Sequence, residues 1–323
     1  MVRKRLIGRS FLFVAAAAAA AATAVGFAAA QSFPSRAVTM IIPFPPGGNT
    51  DLMGRGLQEA MRKALGQPVV ALNKGGAAGA IGVTEVVRSK PDGYTMALTP
   101  NNPLTAQPHL RKLDYGMDSF RYICLTYYAP YVLIAGPKAP FKDFKEFVAF
   151  AKAKPQNLVY GHPGPGSQPH LGMLSVLSAL KMDALGVPFQ GAGPMAQALL
   201  GGEVMAITET PAVAKANNLR VLAALTETRI PSLPDVPTMK ELGFPAEGFT
   251  AGGLIVPAAT PDDAAATLEK ACKEATATPE YKALIEKLNA EPRYLPGAEF
   301  RKMFEADSKR AAEAVKQAGL KQN

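Results

Sequence analysis

Short apolar strands alternate with helices along almost the whole of this chain, and this alternation limits the fold more than any single motif does. From residue 37 onward, several strands end in a Gly-rich or polar loop that opens directly into a helix. Helices between successive short strands are typical of layered α/β folds. The 323 residues are enough for two domains of ordinary size, so we expect an α/β chain with more than one core.

The apolar runs predict the strands, and a 3.6-residue periodicity predicts the helices. We expect strands at residues 37–43, 69–72, 94–99, 121–128, 131–135, 158–160, 187–190, 204–208, 219–225 and 253–256. We expect helices at residues 51–65, 81–88, 168–181, 262–275, 279–288 and 298–318, and one that carries Phe144, Phe147, Val148 and Ala151 on a single stripe. Gly66 follows the first helix, at the position where a terminating glycine is common.

Four of the loops combine glycine with the start of a helix, at residues 45–51, 73–80, 164–168 and 191–194. In an open α/β sheet, loops at the carboxyl ends of strands form the ligand crevice. A helix N-terminus presents unpaired N–H groups and the positive end of the helix dipole, and glycine lets a bound group approach that backbone closely. The loops therefore predict anion sites that need no Arg or Lys, although the same glycines also suit ordinary tight turns.

The first 30 residues have the features of an export signal. Residues 1–10 contain four basic side chains and no acidic one, an apolar run follows at residues 11–22, and alanines at residues 28–30 form a cleavage site. A single membrane anchor is the alternative, but the run is short and mostly Ala for a spanning helix. We expect a mature exported protein in an oxidising compartment, in which Cys124 and Cys272 either form a disulfide or stay as two separately buried thiols.

Charge and composition exclude several classes of function. The chain has 35 Lys and Arg against 26 Asp and Glu, a net charge of +9, which falls to +5 without the signal. A small excess without clusters is not typical of nucleic-acid binding, although it suits the attraction of small anions. Three histidines and two cysteines leave little material for a metal site, and we expect no metal or cofactor.

No enzyme motif is complete in this sequence. There is no P-loop, and Ser167 lacks the G-x-S-x-G context of a nucleophile elbow. His162 and His170 do not have the spacing of an H-E-x-x-H zinc helix, so we interpret them as loop donors or as structural residues.

Two other groups of residues each allow two interpretations. Asp51 and Arg55 are spaced as an i,i+4 ion pair at the start of a helix, and a catalytic carboxylate is the alternative. Tyr127, Tyr128 and Tyr131 are either packed strand residues or stacking surfaces beside a crevice.

Several segments together resemble one family, at residues 33–36, 42–51 with Arg55, 73–82, 90–94, 160–171, 187–191, 199–204 and 233–238. They occur in the family's order over nearly the whole mature chain, which resembles the receptors of tripartite tricarboxylate transporters, also called TctC or Bug solute-binding proteins. Membership implies a type II periplasmic binding protein (a Venus flytrap), with two α/β domains and a ligand cleft between them. It also implies a non-enzymatic receptor that passes a carboxylate to a membrane permease with one large and one small subunit.

The resemblance, carried over by position, implies ligand-binding residues in both domains. The first domain would contribute Phe44, Gly48, Thr50, Asp51, Ala78, Gly79, Ala80, Thr99, Asn101 and Asn102. The second would contribute His162, Gly166, Ser167, Gln168, Gln190, Ala192, Thr208 and Glu209. Leu174 departs from the Glu that many members have at that position, so the ligand of a particular relative does not transfer.

The predicted pocket loops contain Lys74 but no Arg. We therefore expect a small organic dicarboxylate held by neutral donors, and the aromatic rings of Phe44, His162 and the tyrosines admit an aromatic one such as terephthalate. Two other classes of function stay open. An exported carboxylate-ester hydrolase would turn over its ligand, and a partner of a sensor kinase would present the ligand without transport.

The predicted domain boundaries lie near two chain crossings, at residues 128–131 and 248–253. Residues 1–30 would be the signal peptide, residues 31–130 and 249–323 would form domain 1, and residues 131–248 would form domain 2. We expect a monomer with no nucleic-acid partner.

Overall fold

A computed structural model describes residues 33–153 and 157–320, so the predicted export signal lies outside the described residues. From Arg36 onward the described residues form one compact unit. The strands in chain order are β1 (Val38–Ile42), β2 (Val69–Asn73), β3 (Thr95–Pro100), β4 (Phe120–Pro130), β5 (Val132–Ala135), β6 (Val159–His162), β7 (Leu185–Pro188), β8 (Ala206–Glu209), β9 (Arg220–Ala224), β10 (Phe249–Pro257) and β11 (Glu291–Pro296). The helices are α1 (Asn49–Leu65), α2 (Ala80–Arg88), α3 (Asn102–Thr105), α4 (Gln107–Leu110), α5 (Phe144–Ala153), α6 (Gln168–Leu180), α7 (Ala192–Gly201), α8 (Pro211–Ala216), α9 (Asp262–Ala277), α10 (Pro279–Lys287) and α11 (Gly297–Gln317).

The strands form two separate sheets. The first has the order β11-β4-β10-β3-β1-β2, and the second has the order β7-β6-β8-β5-β9. In the first sheet β1 is parallel to β2 and β3, whereas β10 is antiparallel to β3 and β4. In the second sheet β6 is parallel to β7 and β8, whereas β5 is antiparallel to β8 and β9. We call the first sheet with α1–α4 and α9–α11 lobe 1, and the second sheet with α5–α8 lobe 2.

Each lobe has its own apolar core. In lobe 1, Ile41, Val83 and Phe300 belong to a buried cluster, and in lobe 2, Phe147 and Val176 belong to another. A smaller cluster joins α4 and α11 of lobe 1 to α6 of lobe 2, and its buried members are Ala106, Leu110, Leu171, Ala311 and Val315. The lobes therefore share an apolar contact besides the strands that connect them.

The chain passes between the lobes at two neighbouring points. β4 leads into β5 through Tyr131 alone, and the chain returns from β9 to β10 past Gly248. The Tyr131 N–H donates to the Gly248 carbonyl oxygen at 2.8 Å, and the Leu225 N–H donates to the Tyr131 carbonyl oxygen at 2.9 Å. The two crossings thus lie side by side, and the division into domains at these points stays a prediction about which residues move together.

Two strands differ from the sequence prediction for reasons that the packing supplies. β10 begins at Phe249 rather than at residue 253, because Gly252 and Gly253 interrupt the apolar pattern while they pair with β4. A Cβ added to Gly253 would lie 2.0 Å from the Cys124 carbonyl oxygen, so only glycine allows this approach. The sequence does not predict β11, because Pro292 and Pro296 argue against a strand. β11 is an edge strand, and edge strands tolerate proline.

A disulfide joins Cys124 on β4 to Cys272 on α9. Of the two states that the sequence left open, the structure therefore has the paired one. The bond connects β4, next to the edge strand β11 of the first sheet, to a helix that packs on this sheet.

Candidate functional site

A cavity of about 590 Å³ lies between the two lobes. Lobe 1 lines it with the start of α1 and the end of β3, and lobe 2 lines it with the start of α7, the end of β8 and α8. The crossing strands β4 and β10 complete part of the wall. Four predicted ligand-binding residues line this cavity: Phe44 and Thr50 from lobe 1, and Ala192 and Glu209 from lobe 2.

The first Gly-rich loop brings the N-terminus of α1 to the cavity. Gly48 is the N-cap of this 17-residue helix, and no side chain caps the helix end. The first N–H groups of an α-helix have no partner within the helix. Asn49 and Thr50, at this helix end, line the cavity, and the exposed Gly48 immediately precedes them. The end of α1 is thus positioned to donate to a bound anion.

Asp51 holds the first loop to the second. Its buried carboxylate accepts hydrogen bonds from the Gly47 N–H (2.9 Å), from Arg55 Nε (3.1 Å) and from Asn73 Nδ2 (2.8 Å). Asn73 Nδ2 also donates to the Phe44 carbonyl oxygen at 3.0 Å. Burial alone would raise the pKa of Asp51, but the three donors hold that pKa below its ordinary value. The predicted ion pair with Arg55 is therefore present, and the carboxylate is engaged within the loops rather than at the cavity wall.

The second Gly-rich loop supports Phe44 from behind. Ala77 and Ala78 have φ values of 48° and 54°, and Gly79 has a φ of 93°. A Cβ added to Gly79 would lie 2.6 Å from Pro103 Cγ and 3.1 Å from the Phe44 ring, so glycine is required for this close approach. Ala78 is exposed, and Gly79 and Ala80 are buried. These three residues do not line the cavity. Their loop affects the cavity only indirectly, because Gly79 packs against Phe44, which does line it.

The predicted residues at the end of β3 and just after it do not line the cavity. Thr99 Oγ1 donates to the Pro100 carbonyl oxygen at 3.1 Å. Asn101 is fully buried, and its Nδ2 donates to Asp307 Oδ2 on α11 at 2.8 Å. Asn102 Nδ2 donates to the Gly166 carbonyl oxygen at 2.9 Å, which connects the two lobes. The structure therefore gives these side chains structural contacts within lobe 1 or between lobes.

The loop before α6 is likewise occupied by internal contacts. Ser167 is the N-cap of α6, because its Oγ accepts from the His170 N–H at 3.4 Å and donates to the Gly164 carbonyl oxygen at 2.7 Å. Gln168 Nε2 donates to Thr105 Oγ1 of lobe 1 at 3.4 Å. Neither side chain lines the cavity between the lobes. A serine that caps its own helix leaves less of that helix end for a ligand.

His162 stacks on His170 at a separate place in lobe 2. The ring centroids are 3.9 Å apart with an angle of 9° between the planes. His170 Nδ1 accepts from the Gly166 N–H at 3.0 Å, so its Nε2 carries the proton and donates to the Tyr160 hydroxyl at 3.2 Å. Burial lowers the pKa of both rings, that of His170 to about 3. Both rings line a different cavity of about 650 Å³ beside α6 and α11, so His162 does not meet the residues that surround the first one.

The remaining predicted residues lie after β7 and β8. Gln190 is exposed after β7 and does not line the cavity. Thr208 is buried, and its hydroxyl donates to the Pro169 carbonyl oxygen on α6. The next residue, Glu209, does line the cavity, and its Oε2 accepts from the Thr210 N–H at 2.7 Å. Burial raises the pKa of Glu209, and the bonds with Thr210 offset part of this effect.

Two of the three tyrosines that the sequence left as either packed strand residues or stacking surfaces line the cavity. Tyr127 and Tyr131 do so with Ala129 between them, as alternate residues of an extended segment do, whereas Tyr128 does not. This period of two was the available signal, and burial raises the pKa of both tyrosines so that their hydroxyls stay neutral. Thr250 on β10 and Asn289 after α10 also line the cavity, and no pattern in the sequence distinguishes them.

The cavity wall offers neutral donors and one acid. Among residues 33–153 and 157–320, no Lys or Arg lines this cavity, and Glu209 is its only carboxyl group. Lys74, which the sequence placed in a pocket loop, lies 3.4 Å from Glu85 in an ion pair. The polar groups of this wall are therefore helix N–H groups and uncharged side chains such as Asn49, Thr50 and Thr250, and the two threonines also bond to Tyr127 and Tyr131.

The part of the chain that the structure describes contains no group of three or more His, Cys, Asp or Glu side chains arranged to hold a metal ion. It also contains no helix with the length and apolar character needed to cross a membrane.

Comparison with known sequences gives a consistent result. A family model described as the tripartite tricarboxylate transporter family receptor matches residues 53–320. The chain is 32% identical over 324 residues to the UPF0065 protein in the gbd 5′ region of Cupriavidus necator, and the match covers 99% of each chain. It is 38% identical over 225 residues to protein BugT of Bordetella pertussis, which covers 67% of this chain and 68% of that one.

Comparison with solved structures confirms the predicted fold. A TctC solute-binding protein from Polaromonas is 31% identical, with a TM-score of 0.80 over 88% of this chain and 99% of that one. MatC from Rhodopseudomonas palustris with bound malate is 31% identical, with a TM-score of 0.72 over 88% of this chain and 100% of that one. An R. palustris protein with adipate is 25% identical, with a TM-score of 0.74 over 89% of this chain and 98% of that one. The two lobes are those of a periplasmic solute-binding protein.

Proposed function

Because the chain belongs to the tripartite tricarboxylate transporter receptor family, we propose that it captures a small organic dicarboxylate between its lobes and delivers it to a transporter's membrane permease. Members of this family are periplasmic solute-binding receptors and not enzymes. This confirms the interpretation of the sequence as a non-enzymatic receptor and removes the hydrolase alternative. Export through the N-terminal signal, with cleavage before Gln31, would bring this chain to the same compartment.

The observation that carries the proposal is the meeting of two uncapped helix ends at one cavity. The N-termini of α1 and α7 come from opposite lobes, and their first residues, including Thr50 and Ala192, line the cavity. The N-caps are Gly48 and Gly191, and neither helix end has a side-chain cap. Helix N-termini bind carboxylates through free N–H groups and the helix dipole. Two such ends suit the two carboxylates of one ligand.

The strength of such contacts is sufficient for a receptor. A hydrogen bond to a charged group contributes about 1.5–3 kcal/mol net, and a helix end adds about 0.3–1 kcal/mol. Four to six such contacts offset an association cost of at least ~4 kcal/mol and reach the ~8 kcal/mol of a micromolar site. Arg or Lys in the wall is therefore not required for binding.

Binding that uses both lobes also supplies the signal for delivery. A ligand held by α1 and α7 together stabilises the closed arrangement over the open one, and this difference is what a permease with a large and a small subunit would read. In this proposal residues 131–248 move as one body against residues 31–130 and 249–323. The bending points are the adjacent crossings at Tyr131 and Gly248. One ligand binds to each monomer.

Two neighbours in the family support a carboxylate ligand and leave its details open. One was solved with malate, a hydroxylated dicarboxylate, and the other with adipate, an unsubstituted one. The scaffold thus accommodates both types, and the choice between them depends on the side chains of the wall. In this chain Phe44, Tyr127 and Tyr131 add aromatic faces, which supports an aromatic dicarboxylate such as terephthalate as a further candidate.

The test is calorimetric titration of the mature protein with aliphatic, hydroxylated and aromatic mono-, di- and tricarboxylates. We expect 1:1 binding of at least one dicarboxylate. Ala192→Leu should weaken that binding about tenfold or more, because the side chain would cover the start of α7. Ala259→Leu is the matched control, since Ala259 is also exposed but lies outside the cavity. Absence of binding across the panel would reject the function, and equal affinity of both variants would reject the site.

A further inference from the structure

Glu209 occupies an unusual position for a pocket that binds anions. It is the last residue of β8, its side chain lines the cavity between the lobes, and it is only 9% exposed. In the described part of the chain it is the only carboxyl group in the wall, and no Lys or Arg lines the same cavity. A carboxylate there faces the space that the ligand's own carboxylates enter.

Among the described residues, no Lys or Arg in the cavity wall balances a negative charge on Glu209. Its Oε2 accepts a hydrogen bond from the Thr210 N–H at 2.7 Å, and the Thr210 side chain also bonds to the carboxylate. Tyr131 lies in the same wall, and its pKa is raised first by burial and then by the charge of Glu209, so its phenol stays neutral. An ionised carboxylate that is buried without a cation is costly unless donors compensate it. Both of the protein's donors to Glu209 come from Thr210, and a ligand in the cavity can supply a further one.

A plain dicarboxylate and a substituted one differ at this point. An unsubstituted chain brings only acceptors and apolar groups to Glu209, which adds like-charge repulsion without a new hydrogen bond. A hydroxyl or ammonium group on the chain donates to Glu209 and completes its solvation. A charge-assisted hydrogen bond of this kind changes affinity by about 10- to 100-fold.

We propose that Glu209 makes the cavity select carboxylates that carry a hydroxyl or ammonium donor over unsubstituted dicarboxylates of the same length. The donor of the ligand bonds to Glu209, while its carboxylates bond to the helix N-termini of α1 and α7. This inference rests on the proposed function and narrows its substrate class.

Titration calorimetry with matched ligands tests the proposal directly. The sets are succinate, malate and aspartate, then adipate and 2-aminoadipate, then terephthalate and 2-hydroxyterephthalate. Within at least one set, the wild-type protein should bind a donor-bearing member tenfold or more tightly than the plain one. Preference for aspartate over malate would identify the donor as ammonium, and the reverse would identify it as hydroxyl.

Glu209→Gln is the decisive variant, because its amide oxygen still accepts from the Thr210 N–H while the charge is gone. We expect the preference for the donor-bearing ligand to fall about tenfold, partly through tighter binding of the plain one. Glu203→Gln is the matched control on the same lobe, since Glu203 is exposed. The ratio of two affinities in one protein does not depend on its stability, so partial destabilisation would not imitate this result.

Three outcomes separate the possibilities. An unchanged ratio in Glu209→Gln would overturn the inference and leave Glu209 with a purely structural contact to Thr210. Equal wild-type affinity for plain and donor-bearing members of every set that binds would also overturn it, while the proposed function would stand. No binding of any ligand would overturn both proposals.

Discussion

Replacing Asp51 tests whether a buried carboxylate sets the shape of the two Gly-rich loops. In Asp51→Ala the Gly47 N–H loses its acceptor, the Asn73 side-chain amide loses one of two, and Arg55 loses its ion pair. Without these bonds the residues between β1 and α1 are free to leave the position that brings Asn49 and Thr50 to the cavity. We therefore expect both the stability and the ligand affinity of the protein to fall.

The contacts of Asp51 set the size of the effect. The Arg55 side chain is 49% exposed, so the loss of the ion pair contributes less than about 1 kcal/mol. A fully buried donor left without an acceptor costs about 1–3 kcal/mol, but Gly47 is exposed and Asn73 is half-buried, so water replaces part of the lost bonds. We expect a decrease of about 1–2 kcal/mol in the free energy of unfolding. We also expect roughly tenfold weaker ligand binding, equivalent to about 1.4 kcal/mol.

Urea unfolding at neutral pH and calorimetry with one identified ligand measure the two effects. Glu59→Ala is the control, because Glu59 lies on the same helix and pairs with Arg62 at the surface. The pKa of Asp51 is lowered in the folded protein, so its contribution is complete above the ordinary value near 3.8 and is lost as the pH falls below it. The difference between wild type and Asp51→Ala should therefore shrink below about pH 4. If Asp51→Ala lost no more stability than Glu59→Ala, the role given to this carboxylate would be wrong.

Three further predictions concern other contacts around the site. Asn102→Ala removes the hydrogen bond between the lobes to the Gly166 carbonyl oxygen. We expect ligand binding about 2- to 10-fold weaker and, in solution scattering of the ligand-free protein, a larger radius of gyration. An unchanged radius and affinity would contradict the bridging role of Asn102. Ser167→Ala removes the N-cap of α6 and should lower the free energy of unfolding in urea by about 1 kcal/mol, with nearly unchanged ligand affinity. A large loss of affinity would show that Ser167 contacts the ligand. His170 stays neutral in the folded protein down to about pH 3, whereas the unfolded chain takes up its proton near pH 6.5. The free energy of unfolding should therefore fall by about 1.4 kcal/mol for each pH unit as the pH decreases from 6.5 to 3. His170→Gln should make this decrease smaller. Equal slopes of stability against pH in the two proteins would refute this last prediction.

The sequence was informative about elements and poor about the direction of side chains. The strand–loop–helix pattern predicted β1, α1, β2 and α2 to within a few residues, because apolar runs and glycine positions are local signals. It did not reveal α3, α4 or α8, since helices of four to six residues have too few turns for a periodic pattern.

The candidate site shows the same limit more clearly. Ser167 and Thr50 both lie at helix starts after glycine, yet Ser167 caps its own helix and Thr50 lines the cavity. Asn101 and Asn102 are neighbours, but one bonds to Asp307 on α11 and the other to lobe 2. These outcomes depend on partners that are 64 to 206 residues away along the chain, so no local pattern contains them.

The central claim is that main-chain donors from both lobes hold the ligand's carboxylates. Amide chemical shifts of the ¹⁵N-labelled protein during titration with a bound dicarboxylate test it most directly. The account predicts that the largest downfield proton shifts occur at the starts of α1 and α7 together, around Thr50 and Ala192. Shifts confined to one lobe, or centred on charged surface groups such as Lys74 while these helix ends stay unchanged, would contradict it.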